Sequence, residues 1–227
     1  MSTVSALIVV ASTRGVAQVG YPPARSPYAD IATSQELTLL FGYYHAKKDP
    51  AGVAPQSGNL VGAHYEWRAS GPAHLTAELV RIASSRNLID PALSGTARSL
   101  GTVDRPLYSA DLALGLALTG ARTWHQLVPE LKTGLGFISD FHTRPDSGGF
   151  KFGTRFAISW GAGVRWLPGG SWQARVDLTN RLHTVAYPST YYVAPTGGTA
   201  VVLSGQAKSF WTNNPALTLG ISYLFGR

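Results

Sequence analysis

The segment Ser139-Asp140-Phe141-His142-Thr143 carries the side chains best spaced for chemistry. Asp140 and His142 stand two residues apart, so on an extended strand they project from one face. A carboxylate beside an imidazole can orient it as a general base. The same pair serves as well in a solvated polar rim, where a strand gives way to a loop. The six histidines fall at no metal-ligand spacing, and no G-x-S-x-G elbow occurs. Gly134 and Gly136 belong to an alternating strand pattern and precede no helix, so they form no phosphate cradle. Cysteine is absent, which removes disulfides and thiolate ligands. No catalytic residue, cofactor or metal is expected.

Strands must position these residues. Alternation with a period of two, the mark of a strand with two unlike faces, recurs eight times. The runs are residues 36–47, 59–69, 74–88, 107–119 and 130–142, the two arms of 159–178, and 210–225. In the hairpin 159–178, Pro168-Gly169-Gly170 reads as a three-residue loop that sets Trp166 opposite Trp172. Short connections (70–72 and 168–170, with 120–129 somewhat longer) alternate with long polar ones. The pattern predicts an all-β, eight-stranded, antiparallel up-and-down barrel, with short and long connections at opposite ends.

Only 14% of the 227 residues are charged, against about 25% in a soluble domain. No run approaches the ~18 apolar residues of a transmembrane helix. A charge-poor soluble β protein and a membrane β-barrel remain. The net charge of +7 comes from Lys and Arg scattered singly, with Lys47-Lys48 the one short cluster. No basic stripe forms and no nucleic-acid partner is expected.

The two faces of the strands separate these readings. One face is rich in glycine and alanine and also carries Glu66, Arg68, Glu78, Asp111, Glu130, Lys132, Asp140, Arg155, Arg165, Arg175 and Asp177. Small residues are odd on a solvated strand but fit the crowded interior of an eight-stranded barrel. Mixed signs allow the charges to neutralise one another. The other face is apolar, where Arg or Lys at a bilayer midplane would cost about 2–4 kcal/mol. Its aromatics form two levels: Trp67, Trp166, Trp172, Tyr223 and Phe225 near the short connections, and Tyr43, Tyr108, Phe137, Phe141 and Phe156 near the long ones. Two aromatic girdles around an aliphatic band describe a membrane barrel. The charged face is therefore expected in the lumen and the aromatic face in lipid. Leu40, Ile138 and Leu224 are apolar exceptions on the lumen face, too few to draw a tunnel. Arg81 falls on the apolar parity. Either a β-bulge near Val80 or a place at headgroup level would accommodate it.

Three stretches are expected: a signal-peptide remnant at 1–17, a Pro-rich periplasmic leader at 18–35, and a transmembrane barrel at 36–227. Residues 36–227 resemble the small eight-stranded outer-membrane barrels typified by the OmpA transmembrane domain, OmpX and OmpW. The carriers are strand count, loop alternation and the last strand, Leu217-Thr218-Leu219-Gly220-Ile221-Ser222-Tyr223-Leu224-Phe225. Family members usually end on an aromatic that the assembly machinery reads; Tyr223 and Phe225 match, and Gly226 and Arg227 follow. The resemblance implies an outer-membrane location, with the lipid bilayer and the assembly machinery as partners and surface partners through the long loops. Barrels that deacylate lipid A place a serine at a fixed spacing from an acid–histidine pair; none stands there. The expected role is structural or surface-interacting, around a narrow, polar, side-chain-filled lumen. The alternative is a barrel that transports or modifies a lipid or small hydrophobic molecule.

Overall fold

The computed structural model describes residues 26–203 and 205–226. The segment 1–17 and the first part of the leader lie outside them. Twelve strands follow in order: β1 (Tyr28–Asp30), β2 (Gln35–Tyr44), β3 (Gly58–Ser70), β4 (Ala73–Ile82), β5 (Ser85–Ile89), β6 (Ser99–Asp104), β7 (Leu107–Ala117), β8 (Arg122–Trp124), β9 (Leu127–Ser139), β10 (Thr154–Trp166), β11 (Trp172–Ala186) and β12 (Ser209–Phe225). Eight of them, β2, β3, β4, β7, β9, β10, β11 and β12, pair antiparallel in that order, and β12 returns to β2. The sheet is closed, so every wall strand has two neighbours and no open edge remains.

Alternation decides the two surfaces. Leu39, Phe41, Leu112, Leu135, Trp160, Leu217 and Leu219 point outward and are more than half exposed. The inward set is buried: Glu36, Thr38 and Leu40 on β2, and Arg175, Asp177, Thr179 and Arg181 on β11. A soluble protein rarely shows so much contiguous apolar surface. The inward glycines make room for long side chains. A Cβ on Gly220 would lie 2.6 Å from Thr38 Cγ2 and 2.7 Å from Arg175 Cγ.

The structure departs from the sequence reading in four places. The β10–β11 connection is two residues longer, 167–171, and Trp166 stands opposite Ala174. Leu167 N–H turns aside to donate to Gln126 O at 2.7 Å, and Gly169 and Gly170 both take positive φ. The shift of two residues preserves parity. Second, β4 ends at Ile82, and the long connection after it contains a separate β5–β6 hairpin. Third, Arg81 sits in unbroken register between Val61 and Tyr108; the irregularity lies between Arg68 and Ser70. Fourth, the leader pairs with the wall's inner rim, Tyr28–Asp30 against Arg122–Trp124.

Strands β11 and β12 are the longest, at 15 and 17 residues. At about 3.3 Å per residue, they rise beyond their neighbours at the long-loop end and carry Val185 and Phe210 into the loops.

Candidate functional site

The lumen has two tiers. The tier toward the short connections is charged and centred on Arg175, which is buried on β11. Its Nη1 donates to Glu36 Oε1 at 3.0 Å and its Nε to Asp177 Oδ2 at 2.7 Å, while Nη2 donates to Glu130. Arg165 Nη1 donates to Glu66 Oε1 at 2.7 Å and to Glu36 Oε2 at 3.3 Å. Lys132 Nζ reaches Asp177 Oδ1 at 3.2 Å. One layer further out, Arg181 pairs with Glu78 and lies 3.5 Å from Asp111 Oδ2. His64 joins the layers, with Nε2 3.0 Å from Arg175 and Nδ1 3.5 Å from Glu78. Thr38 and Ser222 hydroxyls each donate to Glu36 Oε1 at 2.8 Å. Seven strands (β2, β3, β4, β7, β9, β10 and β11) contribute charges, so the network cross-braces the barrel from within.

Eight of the eleven charges placed on the lumen face by sequence meet in this network: Glu66, Glu78, Asp111, Glu130, Lys132, Arg165, Arg175 and Asp177. Three stand elsewhere. Arg68, half-buried at the inner mouth, donates to Ile31 O at 2.7 Å and ties down the leader. Arg155, at the outer end of β10, donates to Phe152 O at 2.8 Å. Asp140 lies beyond β9 in a turn, where Oδ1 accepts from the backbone N–H groups of His142 and Gly153. It caps backbone and does not orient the imidazole: His142 Nδ1 lies against Asp140 O at 2.9 Å, and Nε2 lies 2.5 Å from Arg105. The sequence reading missed Glu36, His64, His74 and Arg181. All four lie on lumen parity: Glu36, His64 and His74 fall inside the alternating runs, and carrying the alternation of β11 past Leu178 reaches Arg181.

Two triads, Glu36-His64-Glu66 and Glu66-His74-Glu130, hold potential ligand atoms within 4.8 Å of one another. Arg165 and Arg175 already occupy those carboxylates. A cation there would face two guanidinium groups, which argues against a metal centre. The cavity at the inner mouth, lined by Glu36, Glu66, Arg68 and Arg165, measures about 10 Å³, roughly the space one water needs.

The outer tier is largely apolar, a correction to a lumen read as polar with Leu40, Ile138 and Leu224 as its apolar exceptions. Leu40, Tyr44, Leu60, Val80, Ile82, Leu107, Ile138 and Ala157 fill it. The cause is the loop cap: Val53, Phe150, Phe152, Tyr187, Tyr191 and Val202 descend from the long connections and continue the same core. Polar braces hold the cap. Asp146 accepts from the backbone N–H groups of Gly148 and Phe150, and pairs with buried Arg86 at 2.5 Å. Arg86 also lies over the Phe150 ring at 5.2 Å. Asp49 accepts from Val53 N–H and Ala54 N–H and from the Tyr187 hydroxyl. Burial and the Asp49 carboxylate push the Tyr187 phenol well above the usual range; burial does the same for Tyr191.

On the outside, Tyr43, Trp67, Tyr108, Phe137, Phe141, Phe156, Trp166, Trp172 and Tyr223 are exposed, and Phe225 is half-buried between Tyr65 and Tyr223. Trp172 meets Tyr223 across β11 and β12 with rings 5.3 Å apart; at the opposite end Tyr108 meets Phe141 at 5.3 Å and Phe137 meets Phe156 at 6.0 Å. The aliphatic band lies between these levels.

No protein-family model and no curated protein matches the chain. Solved structures do. OprG from Pseudomonas aeruginosa aligns over 89% of this chain and 100% of its own at 11% identity, with a TM-score of 0.54. The fold is that of a small outer-membrane β-barrel. The N-terminal barrel domain of Pseudomonas aeruginosa OprF aligns over 85% of this chain and 98% of its own, at 15% identity and a TM-score of 0.46. Neisserial surface protein A aligns over 88% and 98%, at 11% identity and a TM-score of 0.46.

Proposed function

We propose that the chain is an integral outer-membrane barrel with a sealed lumen, presenting a rigid loop cap at the cell surface in a structural or surface-interaction role. The observation that carries this reading is the continuous filling of the lumen, from the Arg175 network through the apolar tier to the cap. A barrel filled in this way has shape and surface to offer and no path for solute. Its first partner is the bilayer around the apolar band. Its second is the outer-membrane assembly machinery, which would read the alternation of β12. A surface partner would meet the cap, where a cleft of about 820 Å³ opens beside Lys47, Lys48, Gln56 and Asn213. Asp140 and His142 serve the turn after β9.

The test is reconstitution into planar bilayers and liposomes. The barrel should insert, migrate differently on SDS gels before and after boiling, and show no unitary conductance. His142→Ala should leave the membrane lipids unchanged by mass spectrometry. A stable conductance in the wild type, or uptake of a small hydrophobic solute, would favour the transport alternative. A lipid modification lost in His142→Ala would favour the enzyme.

A further inference from the structure

Among the described residues, Arg81 is the one charge on the outward parity of the eight wall strands. It is exposed, stands one residue from the outer end of β4, and makes no ion pair among the described residues. Arginine tolerates a lipid-facing site only near the interface, where its head can meet polar groups. The wall around it is grooved. A cavity of about 660 Å³ is lined by Val61, Leu79, Arg81, Tyr108, Phe137 and Phe141. It opens sideways into the apolar band, and the Tyr108–Phe141 ring pair stands at its loop end. The same flank carries a second cation, Arg105, against His142.

We propose that this groove holds a phosphate-bearing lipid of the outer leaflet, with one acyl chain along Val61, Leu79 and Phe137 and its phosphate on Arg81. The site rests on the outer-membrane reading above and adds a ligand class to it. The guanidinium fork matches phosphate oxygens in a bidentate fashion. The apolar walls suit a chain and would contribute nothing to a soluble anion. A free cation at the headgroup end of an apolar groove is complementary to one kind of occupant, an anionic lipid.

The full chain is reconstituted in phosphatidylcholine nanodiscs doped with diphosphoryl lipid A, or with the same glycolipid stripped of phosphate. Lipid retained after release into detergent is counted by native mass spectrometry. The wild type should retain the phosphorylated form preferentially. Arg81→Gln should lower that retention by about tenfold or more, the worth of a charge-assisted hydrogen bond, and Arg81→Lys should restore part of it. Leu79→Trp, which fills the groove and leaves Arg81 in place, should also lose retention. Arg122→Gln, at the opposite rim, should not. Added inorganic phosphate should displace nothing. Equal retention of the stripped glycolipid, indifference to Arg81→Gln, or displacement by inorganic phosphate would overturn the lipid site. Failure to enter bilayers at all would instead overturn the outer-membrane reading.

Discussion

Replacing Gly220 with leucine attacks the lumen from a position that touches no lipid. Gly220 faces inward on β12, opposite Leu40 on β2 and Arg175 on β11. Its new Cβ would stand 2.6 Å from Thr38 Cγ2, 2.7 Å from Arg175 Cγ and 3.1 Å from Arg175 Cδ. Overpacking alone costs about 1–3 kcal/mol. Arg175 must then move, and its guanidinium holds Glu36, Glu130 and Asp177 at once. Breaking a buried pair costs about 3–5 kcal/mol. The two terms overlap, because the displaced side chain is the one overpacked, so about 3–5 kcal/mol is expected in total. Urea unfolding in liposomes, followed by tryptophan fluorescence, reads the change. The adjacent Leu219→Ala is the control: Leu219 is 59% exposed on the outer face, and its lost contacts are with fluid lipid. It should shift the midpoint far less. A Gly220→Leu protein of unchanged stability would refute the inward packing of Arg175.

Leu112→Arg places a charge in mid-band at a residue 71% exposed and should destabilise the barrel by about 2–4 kcal/mol in liposomes, measured by the same unfolding. Arg86→Ala leaves Asp146 unpaired beneath the cap; protease cleavage in residues 140–153 should quicken while the barrel wall stays resistant. The raised phenols of Tyr187 and Tyr191 stay protonated in the fold at pH values where an unfolded tyrosine, near about 10, has ionised. The folded state then binds more protons, so their stabilisation is complete below that pH and is lost as pH rises above it. In a phenolate-absorbance titration, Tyr187→Phe and Tyr191→Phe should each remove one tyrosine from the late-ionising step.

Alternation is a property of the extended backbone itself, since successive side chains leave a strand on opposite sides. The sequence alone therefore sorted residues such as Trp160, Leu219, Arg175 and Asp177 onto two faces. The small residues beside the charges, Gly220 against Arg175 among them, decided which face was inside. Strand count and the alternation of connections followed from the same local pattern. What parity cannot supply is distance between strands far apart in sequence. That Arg175 meets Glu36, 139 residues away, depends on the registers accumulated around a closed wall. So does the position of Arg81 beside Tyr108 at the outer aromatic level. The cap was equally hidden. Asp49, Asp146 and Tyr191 come from stretches that read as polar connections, and Arg86 from the end of a run that read as strand; with Tyr187 they become a core only when closure brings the loop ends over one mouth. Chain closure is a long-range condition, and only the tertiary structure satisfies it.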